Sequence, residues 1–302
     1  MILEYLQPDP SLLDGLTVLL RGAQHAATLG AAGLVIFALG FGHRLDGTEA
    51  ARLRRTVLAA IGAGLALSVL ALVLRVLVLT AGASATDPDV WAAVLRSRIG
   101  DAFWLRGAGL VLLAAVALPW RVGPAVAAVG AALVVGSYAA MGHSTLYGPR
   151  QEIVALLVLH LVVVAFWVGS LPPLLWVAGR PDGAAAAVLV RDWSRAATLA
   201  VLAMLVTGML LTWYLTLRLD RILDAWHGWA LLAKTLAVLA ALALAGWNRL
   251  RHTPALARGE AGAGARLAGA IRVEMVFILL AFWAAAEMVS VHPVDYGHRL
   301  PG

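Results

Sequence analysis

Eight histidines, six methionines and no cysteine define the metal chemistry open to this 302-residue chain. Without thiolates there is no disulfide, no thiolate metal site and no iron–sulfur cluster, so a bound metal has to be held by imidazole, thioether, carboxylate or backbone oxygen. Imidazole and thioether are the ligands left for a soft or borderline ion. Several of these groups are spaced to meet. Met288 and His292 lie four apart, one helical turn on one face, and Met141 precedes His143 by two. His25 and His160 interrupt long apolar runs. His227 precedes Lys234, and His160 precedes Trp167, by seven positions, which puts each pair on one helical stripe. Methionine also serves as adaptable core filler, the plain reading of Met204, Met209 and Met275.

The elements that must position these groups follow from composition. At 62% hydrophobic and 13% charged, with a mean hydropathy of +0.87, the chain has too few polar side chains to cover a water-soluble globule. Its apolar residues come in blocks long enough to span a bilayer, separated by short charged clusters, which is an all-α, polytopic membrane bundle. Eight spans are predicted: Gly15–Phe41, Thr56–Thr80, Ala102–Trp120, Pro124–Met141, Ile153–Val177, Ala196–Leu217, Gly228–Leu250 and Ile271–Val291. Pro119, Arg121 and Pro124 favour a hairpin between the third and fourth spans over one continuous helix. They divide into an amino-terminal four-helix half, 1–150, and a second four-helix half, 151–302. The Gly/Ala-rich stretch Ala257–Ala270 reads as a flexible loop.

An excess of 23 basic over 17 acidic residues and a pI near 10.4 would suit a nucleic-acid partner in a soluble chain. In a membrane protein, basic residues mark cytoplasmic loops. Of the 23, 13 fall in one set of alternating loops, 6 in the other and 4 inside spans, so both termini are expected outside and no nucleic-acid partner is implied. The first residues carry Glu4, Asp9 and Asp14 and no Lys or Arg, unlike the basic start of a signal peptide.

On this topology six histidines, His25, His143, His160, His227, His292 and His298, gather in the outer half of the membrane or on its outer surface. His25 and His160 are intramembrane, roughly 16 Å and 12 Å along their helices from Asp14 and Glu152. An imidazole in hydrocarbon that faces the bundle interior marks a functional site by default, although it can also lock packing by bonding a neighbouring carbonyl. The candidate metal ligands are therefore His25, His160, His143, His227, Met288 and His292, with Asp295 and His298 in a tail able to fold over the outer mouth. Arg21, Arg75, Arg106 and Lys234 form a second, cationic set at the same depth. Interfacial snorkelling accounts for Arg75 and Arg106, and Glu287 is the partner expected for Lys234, which would tune or gate a metal site without binding the ion. Most tryptophans sit at interfaces, whereas Trp167 packs beneath His160 or shields it.

The stretch Leu159–Trp176 with its span-opening His and Trp-x-Gly, the run from His227 to Leu256 with Leu-Leu-x-Lys leading into Asn-Arg-x-Arg-x-Thr-Pro, and Ala270–Ala285 with Arg-x-Glu resemble the copper resistance protein D (CopD) family of bacterial inner-membrane proteins. The resemblance covers the last four spans. The amino-terminal half shares the family's span count and general character. What it implies is a multi-pass inner-membrane protein that handles copper, by transport or uptake, resistance, or delivery to a periplasmic copper chaperone. His160, Trp167, Gly169, Lys234, Asn248, Arg249, Arg251, Pro254, Arg272 and Glu274 fall on its motif positions. Of these, only His160 has ligand chemistry on the outer side. Glu274 is expected to pair an Arg at the cytoplasmic edge and pin the last two spans. The supply of histidine over soft sulfur suits Cu(II) or a mixed site.

Two other readings stay open. A b-type haem or quinone redox protein could use His25 and His160 as axial ligands with arginines on the propionates, but no second His lies within a span near the inner face. A scaffold that only delivers copper to a periplasmic partner needs the same outer site. No nucleophile, phosphate loop or paired-carboxylate motif points to hydrolytic catalysis, so no enzymatic activity is expected.

Overall fold

A computed structural model describes residues 12–80, 85–118, 121–140, 150–215 and 226–290, and among them there are helices and turns and no strand. The helices are α1 (Leu12–Phe41), α2 (Gly47–Leu79), α3 (Pro88–Leu95), α4 (Arg98–Leu113), α5 (Gly123–Ala139), α6 (Arg150–Val177), α7 (Gly183–Leu215), α8 (Trp226–Trp247), α9 (Thr253–Ala257) and α10 (Ala263–Ser290). Among the described residues, seven stretches are long and apolar enough to cross a membrane, and α5, at 17 residues, is shorter. The chain is thus an all-α, multi-pass membrane bundle. α4 and α5 are separate helices, as the prolines required.

The helices run past the predicted spans at the Arg-rich end. α2 starts at Gly47, α7 at Gly183 and α10 at Ala263. Hydropathy marks only the hydrocarbon-matched part of a helix, and the extra turns carry arginines whose heads reach water. The flexible loop expected at Ala257–Ala270 is instead a tight turn over 258–262 followed by the first turns of α10. Gly259 and Gly262 hold it at φ 68° and 71°, a conformation that costs a residue with a Cβ, and Glu260 pairs with Arg258 at 2.7 Å and Arg266 at 3.6 Å. Helix α3 was not foreseen. Asp87 caps it, Pro88 begins it, and Val94 packs on Leu72 and Val76 of α2.

α1 is the central helix, packed against α2, α4, α5, α6 and α10, with Leu29, Ala31, Ala32, Leu34, Val35 and Phe37 buried along it. Between helices in lipid, close packing does much of what the hydrophobic effect does in water, and small residues permit it. α1 and α6 meet backbone to backbone. A methyl group added at Gly33 would lie 1.7 Å from the Ala165 carbonyl oxygen, and one at Gly169 would lie 2.1 Å from the Gly33 carbonyl carbon. Gly109 of α4 and Gly130 of α5 make a second such crossing, each 2.8 Å from the other's carbonyl oxygen if given a Cβ.

The loops assigned to one side by charge do meet at one end. Asp46 and Glu49 form a capping box at the start of α2, with Glu49 N donating to Asp46 Oδ1 at 2.8 Å. Arg180, after α6, grips Glu49 in a two-pronged ion pair and donates to the Arg44 carbonyl at 3.0 Å, and Arg44 pairs with Asp192 of α7. The Glu49 carboxylate raises the Arg180 guanidinium above its ordinary pKa.

Candidate metal site and the polar interior

In the half of the bundle away from the Arg-rich end, α1 carries a stripe of Arg21, Gln24, His25 and Thr28. Arg21 Nη1 donates to the Val289 carbonyl of α10 at 2.7 Å. Gln24 Nε2 donates to Ser68 of α2 at 3.1 Å. The Thr28 hydroxyl gives its only proton to the Gln24 carbonyl at 2.7 Å, so Tyr138 is the donor in the 2.6 Å contact between their oxygens. The Tyr138 and His25 rings meet in a T-shaped contact at 5.1 Å, and the Arg106 guanidinium lies over the Tyr138 ring at 4.4 Å. Arg106 Nε donates to Ser137 at 3.1 Å, and Ser137 back-bonds to Val134 at 2.7 Å.

Arg106 therefore does not snorkel. It is 8% exposed and turned into the bundle. Charge patterning placed it near a helix end, but the Gly109–Gly130 crossing brings α5 close enough to supply an aromatic face and a hydroxyl. Arg75 is exposed, as snorkelling requires.

His160 Nδ1 lies 3.2 Å from Thr207 Oγ1 of α7. Thr207 has already committed its proton to the Ala203 carbonyl at 2.7 Å, so the imidazole is the donor. The ring lies against α7, where a Cβ at Gly208 would touch it at 3.4 Å. With Nδ1 protonated, Nε2 carries the lone pair, the arrangement by which an outer partner orients a metal-binding histidine. Neither ring nitrogen of His25 has a hydrogen bond among the described residues. His25 is eight positions from Gly33 and His160 nine from Gly169, so on parallel helices the two imidazoles stand at nearly the same height, roughly 12–14 Å beyond the α1–α6 crossing. Lys234 of α8 stands in the same half of the bundle. Among the described residues no ion pair joins it to Glu287, the partner expected from the sequence.

Of the other candidates, His227 opens α8 and Met288 lies in the last turn of α10, both half-buried at the same end. His143 and His292, like Asp295 and His298, lie outside the described residues. Among the described residues no three His, Cys, Asp or Glu side chains are grouped as a ready metal cage.

Trp167 has a polar partner of its own, away from His160. Its Nε1 donates to Glu274 of α10 at 2.7 Å, and Asn248 Nδ2 donates to the other carboxylate oxygen at 3.4 Å. The expected Glu274–Arg pair is absent. Asn248 opens a π-helical turn, Asn248–His252, in which the Thr253 hydroxyl donates to the Asn248 carbonyl at 3.0 Å. Pro254 cannot donate to the Leu250 carbonyl, and the widened turn absorbs this break while rotating Asn248 inward and Arg249 and Arg251 outward.

The chain matches the copper resistance protein D family over residues 186–288 and the copper resistance protein D-like N-terminal domain over residues 12–149. It belongs to the copper resistance protein D family, in both halves. The His160 and Trp167–Gly169 motif falls between the two matched segments. No curated protein and no solved structure matches the chain.

Proposed function

We propose that this membrane protein carries copper at the bacterial inner membrane through a histidine-based site in its outward half. His25 and His160 are its central ligands, with His227, Met288, His143 and His292 as the groups able to complete it. The observation that carries the reading is the state of the two intramembrane imidazoles. His160 is held by Thr207 through Nδ1 with Nε2 left to bind, and His25 has no hydrogen bond at all among the described residues. An imidazole without a hydrogen bond on an apolar helix calls for a partner, and in a family named for copper resistance the cargo is copper. Lys234 repels an arriving cation and so sets how tightly the site holds it. The role is carriage, by transport or by delivery to a periplasmic partner, and assigns no catalytic residue.

The test is metal analysis and copper titration of the purified protein with an absorption spectrum on the same sample. Copper binding without a Soret band is expected, and His25→Ala with His160→Ala should weaken it by at least ~100-fold, since even an outer-partner change costs about 10–100-fold. Unchanged binding in the double variant overturns the site, and a Soret band favours haem. Copper flux in proteoliposomes separates transport from delivery.

A further inference from the structure

Glu274 is 2% exposed, within the membrane, and its carboxylate has two partners among the described residues, neither of them a cation. The titratable groups on the elements packed around it stand elsewhere. Asp14, Arg21 and His25 of α1, Arg150, Glu152 and His160 of α6, and His227 and Lys234 of α8 belong to the opposite half. Arg249 and Arg251 of the π turn and Arg272 on its own helix are exposed. Arg249 donates to Thr198, and Arg251 lies over the Trp247 ring at 5.5 Å. His252 and Arg266 lie further toward the Arg-rich edge, and Glu287 lies toward the opposite end.

The two partners differ in kind. Trp167 can only donate, so the oxygen it faces is an acceptor in every state. Asn248 presents a donor to the other oxygen, while its own Oδ1 is buried with no partner. An amide has a donor edge and an acceptor edge, and rotating it exchanges one for the other. We infer that Glu274 is an exchangeable proton-binding site whose two states are the two orientations of the Asn248 amide. With the carboxylate, Nδ2 donates to Oε2. With the acid, the proton sits on Oε2 and is given to Oδ1, which satisfies the orphaned atom. Nothing is oxidised or reduced, and the proton comes from water and returns to it.

A groove lies near the same turn. A groove of about 240 Å³ at the Arg-rich end is lined by Arg191, Ser194, Arg195, Arg249, Thr253 and Pro254. Thr253 is the residue that bonds the Asn248 carbonyl, so the groove reaches the far side of the same π turn. Seven residues of α6, roughly 10 Å, separate Trp167 from His160. The bundle thus has a proton station on the cytoplasmic side of the proposed copper ligands, the arrangement that exchange of a proton against a cation requires. The proton site itself does not depend on the copper reading, because it is measured without metal.

The experiment is infrared difference spectroscopy of the metal-free full chain in lipid nanodiscs, titrated with pH and grown with isotopically labelled glutamate. A protonated-carboxyl band is expected that grows on acidification, disappears in Glu274→Gln, and shifts in Asn248→Leu to the position of an acid without a hydrogen-bond acceptor. If Glu274→Gln does not fold, the Asn248→Leu shift carries the assignment. A labelled band that is absent, insensitive to pH or unmoved by Asn248→Leu overturns the proposal.

Discussion

The two ends of this bundle treat charge in opposite ways. At the Arg-rich end each arginine that turns inward meets a carboxylate or a carbonyl, as Arg180 meets Glu49 and the Arg44 carbonyl, and Arg44 meets Asp192. In the opposite half, Arg21 and Arg106 rest on a carbonyl, a hydroxyl and an aromatic face, and Lys234 has no ion pair among the described residues. Beside these cations stand two imidazoles with lone pairs to spare. Polar groups that satisfy one another hold helices together, whereas groups left under-satisfied in hydrocarbon are retained for what they bind. The contrast is between ion pairs that tie helices together at the Arg-rich edge and, in the opposite half, cations and imidazoles without carboxylate partners, where the proposed metal site lies.

Changes at the crossing that joins the two ends should have the largest effect. Gly33→Ala drives a methyl group into the Ala165 carbonyl and should sharply lower the thermal stability and yield of folded protein. Gly30→Ala, on the same helix with nothing within 4 Å of the added carbon, should be neutral or stabilising by up to ~1 kcal/mol. Equal behaviour of the two variants would remove the crossing as the element that sets the height of His25 and His160.

Thr207→Val tests the binding end. It keeps the shape and deletes the acceptor for His160 Nδ1, so copper affinity should fall about tenfold with little change in melting temperature, as is typical of outer-partner changes. A loss of stability with unchanged affinity would make the His160–Thr207 contact a packing device. The smallest change is expected from Glu49→Gln, which leaves Arg180 half-partnered. Thermal unfolding should show a loss of ~1 kcal/mol, near the upper end for an exposed ion pair, and copper titration should be unaffected. An altered affinity would show that the two ends are coupled.

Much of the fold was legible in the sequence because hydropathy and the positive-inside bias act along the chain. The spans, the hairpin between α4 and α5 and the gathering of the arginines at one end are one-dimensional properties. Helix periodicity also placed His160 and Trp167 on one stripe, yet the two side chains serve different partners, Thr207 and Glu274, on different helices. The family membership of the amino-terminal half carried no short motif, only span count and general character.

The sequence by itself determined that this is a cysteine-free membrane bundle in which any metal ligand can only be imidazole, thioether or oxygen, and that His25 and His160 lie at similar depth. Tertiary structure alone decided that Tyr138 gathers Thr28, His25 and Arg106, that Thr207 orients His160, and that Glu274 answers to Trp167 and Asn248 with no arginine. The physical reason is that a span's depth follows from transfer out of water, which each residue experiences locally. A side chain's partner follows from which helices approach closely, and that rests on a few glycines whose lack of a Cβ has meaning only against the opposing backbone.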